Sequence, residues 1–113
     1  MHELGITESI VNIAVDKAKE AQASKITKIN LVVGELSGFV PDCIEFYFDF
    51  LSKDSIAEGA TLHFELTPAQ FRCRSCSTVF RPQDTIWTCP KCQSQSVEIT
   101  KGRELYIESI EAK

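Results

Sequence analysis

The first part of the chain changes its hydrophobic period once, from that of a helix to that of a strand. Between Leu4 and Gln22, apolar residues recur at steps of three and four, which predicts an amphipathic helix. The Ala-Gln-Ala-Ser stretch at 21–24 ends this helix. From Ile26 to Gly34, apolar and polar residues alternate, which predicts a half-buried strand. The glycine-containing segment 34–38 predicts a loop.

A second helix and two further strands complete the pattern. Pro41 favours the first position of a helix, and the residues that follow, up to Leu51, are aromatic on nearly all sides. We expect this helix to be buried, or buried on one side and covered by a partner on the other. Alternation returns at 61–66 and, after Gly102, at 104–111. This order predicts an α+β fold: two helices on a three-stranded sheet, with a cysteine-rich lobe inserted between the second and third strands.

The inserted lobe contains two Cys-x-x-Cys pairs separated by twelve residues: Cys73, Cys76, Cys89 and Cys92. Each pair can place two thiolates on one side of a tight turn, and two such turns facing each other supply four sulfurs to one ion. Zn²⁺ accepts tetrahedral thiolate coordination without a ligand-field penalty. The spacing therefore predicts a structural zinc site in a zinc-ribbon lobe. Two disulfides are the alternative, and they need an oxidising compartment.

The expected compartment favours zinc over disulfides. The chain opens Met1-His2-Glu3 without a basic stretch and apolar core, so no secretory signal is visible, and its apolar runs are too short to span a bilayer. We expect a cytoplasmic protein, in which paired thiols bind metal. The fifth cysteine, Cys43, stands alone in an apolar segment and is expected to be a small buried hydrophobe.

Charge is unevenly distributed along a chain of net charge −4. Between Phe71 and Arg103 there are six basic and two acidic residues, whereas the rest of the chain has six basic and fourteen acidic ones. Four thiolates on one Zn²⁺ would leave the lobe at about +2. A basic lobe on an acidic body is either a solvated surface or a docking face for an acidic partner, including a second copy. The net acidity argues against nucleic acid as the main partner.

The amino terminus is a second candidate metal site. A histidine at position two allows the free α-amine, the His2 amide nitrogen and the His2 imidazole to bind one ion through fused rings. Ni²⁺ and Cu²⁺ favour such nitrogen coordination, and Zn²⁺ rarely does. Glu3 supplies a carboxylate oxygen close by. A solvated terminal histidine without a metal is the alternative.

Four segments together resemble the HypA/HybF family of nickel metallochaperones for [NiFe]-hydrogenase maturation. They are Met1-His2-Glu3-Leu4 at the start, Val33-Gly34-Glu35-Leu36-Ser37 after the first strand, the paired Cys-x-x-Cys motifs, and the closing segment 102–111, Gly-Arg-Glu-Leu-Tyr-Ile-Glu-Ser-Ile-Glu. The resemblance covers essentially the whole chain, in the same order and at the family's length. The combination is specific, although no single motif is decisive.

The resemblance implies metal ligands. The family's nickel site uses the histidine at position two, here His2, with Glu3 close to the ion, and its zinc cysteines correspond to the four of the lobe. An aspartate that assists nickel binding in at least one member aligns with Val40 here, and Asp42 is a substitute that remains open. His63, on the polar face of a strand, is either solvated or a further nickel ligand.

The resemblance also implies partners and a division of the chain. Members work with a HypB-type GTPase and deliver Ni²⁺ to the hydrogenase large-subunit precursor, and some members also serve urease. We expect a nickel-binding α+β domain at 1–70, completed by 104–113, and a zinc-binding domain at 71–103. A homodimer, with the lobe exchanged as a domain swap, is a further candidate assembly.

The chain shows no nucleophile–base pairing, phosphate loop or carboxylate dyad, so a chaperone rather than an enzyme is expected. The alternative function is a zinc-ribbon module that binds nucleic acid. Its supporting features are the basic lobe and the aromatic residues Phe71, Phe80 and Trp87 near the cysteine turns.

Overall fold

The computed structural model describes residues 2–82 and 87–113, apart from the side chain of His2. In this described part of the chain, two helices and six strands occur in the order α1 His2–Glu20, β1 Ile26–Gly34, α2 Pro41–Leu51, β2 Thr61–Thr67, β3 Gln70–Cys73, β4 Val79–Phe80, β5 Val97–Lys101 and β6 Leu105–Ala112. The predicted α+β fold is confirmed: two helices accompany a three-stranded sheet of order β2-β1-β6. The lobe between β2 and β6 has a three-stranded sheet of its own, of order β4-β3-β5.

The chain divides into two compact units. The first unit comprises the chain up to Val32, Phe39–Glu65 and Leu105–Lys113, and the second unit comprises Val33–Gly38 and Leu66–Glu104. The division of function into 1–70 with 104–113 and into 71–103 stays a prediction.

The first unit is built around one apolar core. Helix α1 packs against α2 and β6. The buried core side chains come from both helices, from β1 and β2, and from the turn before β2; they are Ile10, Val11, Ala14, Ala18, Ile26, Ile29, Leu31, Ile44, Phe48, Ala57 and Leu62. The alternation predicted for the last strand is confirmed, because Leu105 and Ile107 pack against this core while Tyr106 is exposed.

Helix α1 ends in a Schellman motif at the predicted Ala-Gln-Ala-Ser stretch. Gln22 adopts a left-handed conformation with φ of 60°. Its N–H donates to the Lys19 carbonyl at 2.9 Å, and the N–H of Ala23 donates to the Ala18 carbonyl at 2.9 Å. These two bonds satisfy carbonyls that the helix end would otherwise leave without donors.

Helix α2 is buried on one side only. Pro41 occupies its first turn, as predicted, and the residue before it, Val40, is extended. Ile44 and Phe48, one turn apart, are buried, whereas Phe46 and Phe50 are exposed. Of the two arrangements expected for this aromatic helix, complete burial is therefore wrong.

The expected burial of Cys43 is also wrong, since this thiol is exposed. It precedes Ile44 by one residue, which is about 100° around the helix axis. The inward face is set by Ile44 and Phe48, so Cys43 points away from the core.

The second unit packs around Phe71 of β3, which is fully buried. The Phe80 and Trp87 rings meet the Phe71 ring edge-on at centroid distances of 5.9 and 4.9 Å. Strand β3 pairs antiparallel with β4 and with β5, where Arg72 forms an ion pair with Glu98. Phe71 and Phe80 therefore pack within this unit and do not form an open stacking platform, whereas Trp87 is exposed.

Candidate metal centres

Each Cys-x-x-Cys pair lies in a tight turn closed by backbone hydrogen bonds. In the first turn the N–H of Cys73 donates to the Thr78 carbonyl, and the N–H of Ser77 donates back to the Cys73 carbonyl, both at 2.9 Å. Ser77 takes a left-handed conformation, with φ of 63°. The chain thereby reverses directly after Cys76, and both cysteines of the pair are brought to one side.

The second turn repeats the first one position for position. The N–H of Cys89 donates to the Ser94 carbonyl, and the N–H of Gln93 donates to the Cys89 carbonyl, again at 2.9 Å. Gln93 has a φ of 62°. Two turns of the same geometry present two equivalent pairs of sulfurs, as the sequence predicts for zinc knuckles.

The four sulfurs meet at one point. All four Sγ atoms of Cys73, Cys76, Cys89 and Cys92 lie within 4.8 Å of one another. The closest approaches run across the two turns, at 3.4 Å between Cys73 and Cys92 and 3.6 Å between Cys76 and Cys89. A tetrahedral site with Zn–S bonds of about 2.3 Å holds its sulfurs about 3.8 Å apart. The arrangement fits one zinc ion bound by four thiolates.

Donors around the cluster stabilise negative charge on sulfur. Backbone N–H groups point at two sulfurs, from Ser75 to Cys73 at 3.4 Å and from Cys92 to Cys89 at 3.5 Å. The Thr78 hydroxyl lies 3.1 Å from the Cys76 sulfur. Together with the Thr78 backbone, this hydroxyl lowers the pKa of Cys76 to about 6.

The opposite shift occurs at Cys92. The backbone N–H of Ser94 lowers the pKa of this thiol, but the neighbouring Cys73 sulfur and desolvation outweigh it and raise the pKa to about 12. Thiols this close to one another cannot all ionise unless a cation balances their charge. The cluster therefore favours binding a divalent metal.

At the other candidate centre the structure describes Glu3 but neither Met1 nor the side chain of His2, which lie outside the described residues. Glu3 occupies the first turn of α1. The Thr7 hydroxyl, fully buried one turn further on, donates to the Glu3 carbonyl. The Glu3 carboxylate accepts hydrogen bonds from its own backbone N–H and from the backbone N–H of Val40, which hold its pKa below the usual value against some desolvation.

Two contacts therefore fix the first turn of α1, one to a buried hydroxyl and one to the residue before α2. They hold the Glu3 carboxylate in place in this turn, with its pKa lowered. No sequence pattern predicted the Val40 contact, because it joins residues that are distant along the chain.

The two undecided residues lie on the surface. Asp42 is exposed in the first turn of α2, and His63 is exposed on β2. Among the described side chains, those of residues 3–82 and 87–113, the four cysteines are the one group of at least three His, Cys, Asp or Glu close enough to hold an ion. Neither of the two described helices is long and apolar enough to cross a bilayer.

Comparison with known proteins identifies a family. The family model described as hydrogenase/urease nickel incorporation metallochaperone HypA matches residues 1–112. Hydrogenase maturation factor HypA of Dehalococcoides mccartyi is 50% identical over 111 residues, which cover 98% of this chain and 93% of that protein. The factor of the same name from Caldanaerobacter subterraneus is 44% identical over 112 residues, with 98% of both chains covered.

Solved structures agree with the sequence relatives. The solution structure of a HypA protein superposes with a TM-score of 0.78 at 30% identity, covering 100% of this chain and 97% of that one. The solution structure of the nickel metallochaperone HypA from Helicobacter pylori superposes with a TM-score of 0.69 at 28% identity, covering 97% and 96%.

Proposed function

This chain belongs to the HypA family of nickel metallochaperones for hydrogenase maturation, and from that membership we propose how it handles nickel. It binds Ni²⁺ at its amino terminus through His2, with Glu3 beside the ion. It passes the ion, with a HypB-type GTPase, to the large-subunit precursor of a [NiFe]-hydrogenase. The full-length family match is the observation that carries this proposal.

The chemistry of the amino terminus suits a cargo site. An α-amine, an amide nitrogen and an imidazole form a nitrogen-rich set, which Ni²⁺ favours. Glu3, whose pKa is lowered further from a value already well below neutral, adds a negative charge to this set at neutral pH. A carrier has to release its ion to a second protein, and we expect a terminal chelate to allow this release.

The four-cysteine cluster has a different role. We propose that Cys73, Cys76, Cys89 and Cys92 hold structural zinc in a domain separate from the nickel site. A closed shell of four thiolates leaves no position for a substrate, and two of the sulfurs, those of Cys73 and Cys89, are buried. Zinc held this way fixes the shape of the lobe and is not exchanged with nickel.

The protein acts without catalysis of its own and in the cytoplasm. The proposed step binds and releases an ion, and no covalent bond is made or broken. Cluster thiols used for zinc also suit a reducing compartment. We also propose that the protein can form a homodimer, with or without exchange of the zinc lobe between the two chains.

A nickel titration tests the terminal site. We expect His2→Ala to lose specific Ni²⁺ binding in equilibrium dialysis while circular dichroism remains that of the wild type. The matched variant is His63→Ala, which we expect to bind nickel normally. Unchanged nickel stoichiometry in His2→Ala would contradict the proposed nickel site at the amino terminus.

An extended chain tests the α-amine. Adding a few residues ahead of Met1 moves the amine away from His2, whereas adding the same residues after Lys113 leaves it in place. We expect weaker nickel binding only in the protein extended ahead of Met1. Equal binding in both extended proteins would show that the α-amine is not a ligand.

A further inference from the structure

Helix α2 presents a face of acidic and aromatic side chains to solvent. This acidic–aromatic stripe consists of Asp42, Glu45, Phe46, Asp49 and Phe50, all exposed. Their spacing of i, i+3, i+4, i+7 and i+8 places them on one side of the helix, opposite the buried Ile44 and Phe48. A row this long covers about 12 Å of helix axis, or just over two turns.

The aromatic part of the stripe is ordered by ring contacts. Phe46 is 67% exposed and Phe50 is 47% exposed. Their rings meet edge-on at 6.3 Å, and each also meets the neighbouring Tyr47 ring, at 5.4 and 5.9 Å. Three rings in mutual contact form a connected apolar patch on a rigid helix, which is typical of a surface that a partner covers.

The charges of the stripe define the partner. Helix α2 has three acidic residues and no basic ones. In the described part of the chain, Asp42, Glu45 and Asp49 form no ion pair. The faces of aromatic rings carry negative potential and attract ammonium and guanidinium groups. The aromatic rings and the carboxylates on this face thus both favour a positively charged partner.

We propose that the acidic–aromatic stripe docks a basic amphipathic helix of a partner protein. Apolar side chains of that helix cover the three rings, and its Lys or Arg side chains reach the flanking carboxylates, so that apolar contact and charge complementarity act at one site. Nucleic acid and anionic lipid are repelled by the same three carboxylates. The proposed function is needed here only to say which partner protein supplies the helix.

A model peptide tests the chemistry of the site. The probe is a fluorescein-labelled helical peptide of leucine and lysine, and its binding to the zinc-loaded protein is followed by fluorescence anisotropy. We expect binding that weakens with added salt, and no binding of the peptide in which glutamate replaces every lysine. Equal binding of both peptides would overturn the charge argument.

Charge-matched variants locate the binding site. Glu45→Gln/Asp49→Asn removes two charges from the stripe, and Glu8→Gln/Asp16→Asn removes two exposed charges from α1. We expect the first variant to lose at least about tenfold in affinity and the second to stay within about twofold. Equal losses would show non-specific attraction to an acidic protein and would refute the site.

Matched apolar variants test the rings. Phe46→Ser removes the most exposed ring of the stripe, and Ile13→Ser removes an apolar side chain of α1 that is 50% exposed. We expect Phe46→Ser to weaken binding about tenfold and Ile13→Ser to leave it unchanged, with the circular dichroism of both variants that of the wild type. Nickel dialysis on the same samples separates the two proposals, because stripe variants that lose the peptide are expected to retain nickel.

Discussion

Glu3 is the residue at which backbone contacts and the proposed nickel site meet. Its carboxylate accepts the N–H groups of Glu3 itself and of Val40, and its pKa in the folded protein lies below the unfolded value of 4.5. A group whose pKa is lowered by folding stabilises the folded state above its unfolded pKa. That contribution disappears as the pH falls through the folded pKa.

The variant Glu3→Gln is therefore expected to be less stable than the wild type at neutral pH and equally stable in acid. The difference should begin to shrink near pH 4.5 and vanish below the folded pKa. Thermal unfolding followed by circular dichroism at several pH values measures it. Glu8→Gln, exposed on the same helix, is the control, and a Glu3→Gln deficit that persists unchanged in acid would contradict the assignment.

The position of some residues in the fold could be predicted from the sequence, and that of others could not. The cysteine spacing predicted the cluster, because two-residue gaps restrict a chain to tight turns, and the four sulfurs do meet. The place of Cys43 was not predictable from its apolar neighbours, since a helix that is aromatic all round carries no signal of which side faces the core. The contact between Glu3 and Val40 depends on how α1 and the segment before α2 pack, which no local pattern encodes.

Helices and strands were predicted well where the hydrophobic pattern extends over many residues, and poorly where the strands are short. Helix α1, β1 and β2 begin and end within a few residues of the predicted bounds. Strands β3, β4 and β5 were missed, because they have only four, two and five residues. The alternation in Val97–Lys101 was the one signal that could have revealed β5.

Gly34, at the end of β1, lies where two backbone segments of the second unit, 34–36 and 102–104, approach each other closely. The N–H of Gly34 donates to the Glu104 carbonyl at 2.7 Å, and the N–H of Leu36 donates to the Gly102 carbonyl at 2.6 Å. A Cβ atom on Gly34 would lie 2.2 Å from the carbonyl carbon and oxygen of Gly102. This clash is with backbone, so no side chain can move to relieve it.

We expect Gly34→Ala to destabilise the second unit by about 3 kcal/mol, the upper end for overpacking. The matched variant Gly5→Ala, in α1 with nothing within 4 Å of the added atom, should instead stabilise its helix by about 0.5–1 kcal/mol. Urea unfolding followed by Trp87, the one tryptophan, reports on the second unit. If Gly34→Ala unfolds at the same urea concentration as the wild type, the two backbone segments can move apart to accommodate the added Cβ atom, and the prediction is wrong.

The cysteine turns connect metal binding to folding of the lobe. Cys73→Ser or Cys92→Ser is expected to lose zinc and unfold the turns, because ligand binding and folding are one equilibrium in so small a unit. The first unit has its own core and should retain its helical circular dichroism. Metal analysis under reducing conditions provides the measurement, with Cys43→Ser as the control that keeps its zinc. Wild-type protein purified without zinc would contradict the structural-site assignment.

For the whole molecule, the family and its cargo could be predicted from four separated segments, and the full-length match confirms the family. The partner surface could not, because which residues of an amphipathic helix stay exposed depends on the assembled core. The structure leaves Phe46 and Phe50 of α2 exposed. If the proposed GTPase binds this chain, we expect it to contact this acidic first unit at α2, near Glu3 of the proposed nickel site.

A zero-length carbodiimide crosslinker, which joins carboxylates to lysines, tests this contact. Helix α2 supplies only carboxylates, so any crosslink that joins it to the HypB-type GTPase must run to a lysine of the GTPase. Residues 71–103 offer both kinds of group, including Lys91 and Glu98, and would report a contact made there instead. We expect the crosslinks to map to α1 and α2 and to disappear in Glu45→Gln/Asp49→Asn at those two positions. Crosslinks concentrated in 71–103, with none in α1, would assign the GTPase to the zinc lobe and leave the acidic–aromatic stripe to another partner.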